Sequence, residues 1–155
     1  MSQLRSIELA IELATRQRDD LAKAAAGVAN ALQFAQGQLS QLEGYAAETD
    51  ARWVHTGNEG RSAELLRHHY QFMERLQHAI GLQSGVMANT AQQVEAARKL
   101  VLQAEYRLAG LNQVLKARQS QVMQVQQRRE QRQTDEFAAI LHARKTRVSS
   151  TGELP

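Results

Sequence analysis

The chain has 155 residues, and Ala, Leu, Gln, Glu, Arg and Lys make up about three fifths of it, an alphabet of strong helix formers. Its one proline is Pro155, aromatics are 5% and cysteine is absent, which excludes disulfide frameworks and cysteine-based zinc or redox sites and argues against a globular enzyme core. The net charge of +3 hides an asymmetry. Residues 1–115 are close to neutral, whereas residues 116–147 hold eight basic and three acidic side chains.

From Leu4 onward the sequence carries two interleaved heptad rows. One runs Leu4, Ile11, Arg18, Ala25, Leu32, Leu39, Ala46 and Trp53; the other runs Ile7, Ala14, Leu21, Val28, Ala35, Leu42 and Thr49. The alternating spacing of three and four never slips, which is the signature of a coiled-coil seam and predicts a helix over residues 3–53. Val54 to Arg61 contains two glycines and an asparagine and predicts a turn, with Ser62 as N-cap of a second helix. No proline interrupts that second helix, expected over 62–146, whose rows start at Leu66 and His69 and continue to Val122 and Val125. His69, Gln83, Thr90 and Arg118 are the polar entries in these rows, as a seam open to water on both sides allows.

At about 1.5 Å per residue the helices would be about 75 and 125 Å long. The expected fold class is therefore all-α, a two-helix antiparallel coiled coil (helical hairpin) with an overhanging second helix, in a single domain over residues 1–147. In a hairpin turning near residue 58, paired positions have numbers adding to about 117. Helix one is then exhausted by about residue 113. Beyond it, Arg128, Arg129, Arg132 and a run of glutamines replace the aliphatic residues, and the apolar spacing restarts out of phase at Phe137, Ile140 and Leu141. Residues 148–155 read as a short disordered tail.

Flanking positions of such a seam usually carry charges. Here the register instead sets Tyr45 opposite Phe72 and Gln38 opposite Ala79, beside the seam residues Leu42 and Leu76. An exposed apolar strip of this kind is a docking surface; the competing reading is a widened core in which the two rings cover the seam. Trp53 is expected to cap the seam beside the turn.

Gln38, Leu42 and Tyr45 on the first helix, with Tyr70, Phe72, Leu76, Ala79 and Ile80 on the second, resemble the FliJ family of the flagellar type III export apparatus. So do Asp135-Glu136-Phe137-Ala138 and Ala143-Arg144-Lys145. The sequence departs from the enterobacterial members at Thr49, where they have an aromatic residue, and at Gln83, where they have histidine. The resemblance implies a hairpin similar to the two-helix stalk of the gamma subunit of rotary ATP synthases. It also implies binding to the hexameric export ATPase FliI, contact with the export gate protein FlhA and recycling of export chaperones. By the same resemblance Gln38, Leu42, Tyr45, Phe72, Leu76 and Ala79 form the gate-binding patch. The termini, with Phe137, Arg144 and Lys145, form the end that enters the ATPase ring. The expected location is the cytoplasm, peripheral to the inner-membrane export machinery, since no apolar stretch reaches the roughly 20 residues of a bilayer span and no secretion signal opens the chain.

Other chemistry has little support in the residues. His55, His68, His69, His78 and His142 do not group with carboxylates on one helix face, so no metal is expected. No Walker loop, nucleotide fingerprint or nucleophile elbow occurs, so neither catalysis nor a cofactor is expected. Asp19 with Asp20, and Asp135 with Glu136, diverge on a helix and read as solvated surface. Arg128, Arg129 and Arg132 could meet phosphates, but no aromatic platform accompanies them, and specific nucleic-acid binding is not expected. A structural coiled coil dimerising through its overhang, or the equivalent stalk protein of a virulence secretion system, remains the alternative.

Overall fold

The computed structural model describes residues 2–55, 57 and 62–151. Two helices account for it, α1 (Ser2–His55) and α2 (Ala63–Thr151), packed against each other as a helical hairpin, with no strand among the described residues. The chain divides into two units, one of residues 14–107 and one of residues 1–13 with 108–155. Both helices contribute to each.

The heptad rows account for what is covered. Every heptad position named on α1, from Leu4 to Trp53, is buried or half-buried, and so is every one on α2 from Leu66 to Leu115. The most buried residues are Ala14, Ala35, Ala46, Leu76, Val94 and Leu108. Small alanines on α1 let the larger α2 side chains fill the space between two backbones, which is how a seam with few aromatics still excludes water. Past Leu115 the rows continue in the sequence but not in the burial: every residue from 116 to 150 is exposed.

The turn uses the chemistry its residues suggest. Gly57 has φ +76°, and its N–H donates to the Val54 carbonyl at 3.3 Å, the closing bond of a left-handed helix C-cap. Among the described residues nothing lies within 4 Å of where a Cβ would stand. The cost of Gly57→Ala is therefore backbone strain alone, about 1 kcal/mol, and a thermal melt should show a drop of a few degrees. Thr56 and residues 58–61 of the predicted turn lie outside the described residues.

Ser62 acts as the predicted N-cap. Its Oγ accepts from the Leu65 N–H at 3.2 Å, and its carbonyl accepts from the Leu66 N–H at 3.2 Å. Ser62→Ala should cost about 1 kcal/mol, read as a lower melting temperature with unchanged helicity at low temperature.

The far end of α2 departs from expectation. The helix runs through Thr151, past the predicted end at about 146, so residues 148–151 are helical where a disordered tail was expected; residues 152–155 lie outside the described residues. The hydroxyl-rich end carries no glycine or proline before Gly152. Its side chains donate back to the helix's own carbonyls, Thr146 Oγ1 to His142 at 2.6 Å, Ser149 Oγ to Thr146 at 3.0 Å and Ser150 Oγ to Arg147 at 3.0 Å.

Candidate functional site

Near the turn, in the unit of residues 14–107, the two aromatic rings meet as the pairing rule requires. Tyr45 and Phe72 pack edge to face with centroids 6.2 Å apart and planes at 68°. Neither is enclosed: Tyr45 is 56% exposed and Phe72 41%. Leu42 and Ala79 are half-buried beside them, while Leu76 is only 8% exposed. The six residues are therefore not equivalent. Leu76 is a floor under the patch that fixes the separation of the helices, and the rings are its surface.

Gln38 stands at one side of the patch, held by Gln83. The Gln83 Nε2 donates to the Ala35 carbonyl at 3.1 Å and to Gln38 Oε1 at 3.2 Å. A glutamine inside the seam thus satisfies its amide on the opposite helix and orients a neighbour at the patch rim. Next to the rings is a shallow hollow of about 370 Å³, lined by Gln38, Gln41, Leu42, Tyr45 and Gln83. Gln41 is absent from the residues selected by register. Its position four residues before Tyr45, hence on the same face one turn away, is the signal that would have found it.

Tyr70 is not part of this surface. Two residues from Phe72 it points about 200° away around the helix, and it stands edge-on to His69 with centroids 6.0 Å apart. His69 lies face to face with Trp53, centroids 3.9 Å apart and planes 3° from parallel. Trp53 so closes the end of the seam beside the turn, in the role the heptad register assigns it.

On α2 beyond Leu115, Phe137, Ile140, Leu141 and Arg144 fall on one stripe at helical spacing, with Lys145 beside it. Phe137, Ile140 and Leu141 are all exposed large apolar residues. A shallow open hollow of about 600 Å³ lies along the same helix, with Leu141, Arg144 and Lys145 in its lining. Residues 137–145 of the overhang thus bring aromatic, aliphatic and basic side chains onto one face.

Among the described residues no group of three or more His, Asp or Glu could hold a metal ion, and no helix is long and apolar enough to cross a membrane. Four ion pairs are present among them, Arg5 with Glu8, Arg18 with Asp19, Arg52 with Glu48 and Arg98 with Glu95. All are local to one helix and largely exposed, so they contribute little to holding the helices together.

The family model for the flagellar FliJ protein matches residues 4–147, nearly the whole chain. The chain belongs to the FliJ family. No curated protein and no solved structure matches it. The FliJ family is a non-catalytic component of the flagellar type III export apparatus. The FliJ match extends over α1, the turn and α2 as far as Arg147, so it includes the ring pair near the turn and the stripe on the overhang alike.

Proposed function

We propose that the chain is a stalk-like adaptor with no chemistry of its own, joining the export ATPase to the export gate. Its overhang, through Phe137, Arg144 and Lys145, docks in the hexameric ATPase FliI and stimulates it. Its turn-proximal edge, through Gln38, Leu42, Tyr45, Phe72 and Ala79 over the floor residue Leu76, meets the gate protein FlhA. The same chain helps to recycle export chaperones, and works in the cytoplasm at the inner-membrane export machinery. The observation that carries this reading is the Tyr45 and Phe72 pair, two rings half open to water at positions where a two-helix seam ordinarily displays charges. Aromatic residues in that state are the usual anchors of a protein interface.

A single helix inside a six-membered ring cannot touch all subunits alike, so it favours particular nucleotide states only through unequal contacts. That predicts stimulation saturating at one chain per hexamer. The test is to titrate the full chain into FliI while following phosphate release, and in parallel to measure its binding to the FlhA cytoplasmic region. Faster hydrolysis with that stoichiometry, together with gate binding, supports the adaptor. Unchanged hydrolysis and no gate binding would reduce the chain to a structural coiled coil.

A further inference from the structure

Past Leu115 the seam of α2 is open to water. Leu115 is the last α2 residue in the covered register, and the next entries, Arg118, Val122 and Val125, are exposed. With Leu4 they bound an open groove of about 480 Å³, in which Leu4, Val122 and Val125 form the floor and Arg118, Arg129 and Gln3 the rim. The groove lies within the unit of residues 1–13 and 108–155. It continues the line of covered register positions on α2 that includes Leu108, Leu111 and Leu115.

The charge around it has one sign. No carboxylate occurs on α2 between Glu105 and Glu130, a stretch that contains Arg107, Lys116, Arg118, Arg128 and Arg129. Glu8, the first acidic residue of α1, is engaged by Arg5 at 3.6 Å. Arg118 Nη1 donates to Gln3 Oε1 at 3.4 Å, a neutral partner that leaves its charge uncompensated.

We infer that this groove takes an acidic amphipathic helix of a partner protein, laid on α2 along the track α1 vacates, with aliphatic residues on Val122 and Val125 and carboxylates facing Arg118 and Arg129. Two observations select that occupant. The floor belongs to the heptad register of an existing helix–helix interface, so a helix fits it. The rim is basic with no acidic residue of its own, so the complement is acidic. A second copy of this chain is the wrong partner, because pairing overhangs would bring Arg118, Arg128, Arg129 and Arg132 against their equivalents. A nucleic acid would have phosphates for the rim but nothing for the aliphatic floor, and no aromatic residue between Tyr106 and Phe137 offers a stacking platform. The site is separate from the stripe at Phe137, about 18 Å further along the helix at 1.5 Å per residue.

The test uses the full chain and a fluorescent synthetic helix with leucines at seam positions and glutamates beside them, followed by anisotropy. The control is the same peptide with lysine for glutamate. The acidic peptide should bind at least about tenfold more tightly than the control, and added salt should weaken it. Val122→Glu with Val125→Glu, at exposed sites past the covered part of the seam, should lower affinity by about tenfold or more while the melting temperature shows that the hairpin persists. Arg118→Gln with Arg129→Gln should flatten the salt dependence, and Phe137→Ala should change nothing. Equal binding of both peptides, or binding indifferent to the valine changes, overturns the proposal. So does sedimentation showing a dimer of the free chain that Val122→Glu with Val125→Glu dissolves, or an oligonucleotide that competes for the groove and loses affinity with the same valine changes.

Discussion

Replacing Tyr45 and Phe72 together by alanine should weaken binding to the export gate by about tenfold or more while far-ultraviolet circular dichroism stays close to that of the parent chain and the melting temperature falls by only a few degrees. The reasoning is one of location. Both rings are half exposed, so truncating them opens no cavity and forfeits about 0.5–1.5 kcal/mol of ring–ring attraction plus part of their apolar burial. At an interface the same rings would be fully desolvated, where aromatic truncation commonly costs about 2 kcal/mol or more. Leu76→Ala supplies the contrast. That side chain is buried in the seam, and its loss should cost about 2–3 kcal/mol of stability, with a visible fall in the melting temperature. A hairpin that melts in the Tyr45 and Phe72 variant would mean that the rings are core, and the gate surface would have to lie elsewhere.

The second large effect is expected on the overhang. Phe137→Ala combined with Arg144→Ala should remove most of the stimulation of the export ATPase, measured as phosphate release at saturating chain, while gate binding persists. Phe137 is exposed and Arg144 lies on its stripe seven residues later, so the pair can leave without disturbing α1 or the covered part of α2. An aromatic anchor beside a guanidinium is a combination whose loss at an interface is rarely small. Retained stimulation would transfer the ATPase contact to another part of α2.

Much of this architecture is legible in the residues because a coiled-coil seam is written in period. Leu4 to Trp53 on α1 and Leu66 to Leu115 on α2 hold their spacing without a slip, and each of those positions is covered in the structure. The pairing of Tyr45 with Phe72 comes from the same arithmetic, since a hairpin leaves one free parameter, the centre of the turn. What period cannot give is reach. It fixes the angle of a side chain about its helix but not how far a flexible amide extends, so the two bonds from Gln83 to Ala35 and Gln38, and the presence of Gln41 at the hollow, were not foreseeable. Depth is hidden for a related reason: Leu76 and Phe72 are neighbours on the same edge, yet a difference in heading of about 40° puts one under the surface and the other on it. The extension of α2 to Thr151 was concealed by serine and threonine, whose hydroxyls serve a helix end as readily as a coil.

None of the described side chains is fully enclosed; the best-covered keep a few per cent of their surface in water. A seam of this kind is stacked in layers, each touching only the layers above and below, and its stability is close to a sum of nearest-neighbour steps. Distant substitutions should therefore add, and a break in one layer should be felt for about a heptad and no further. Damage at the ring pair would not travel to the overhang, so evolution can retune either proposed docking surface without renegotiating the other.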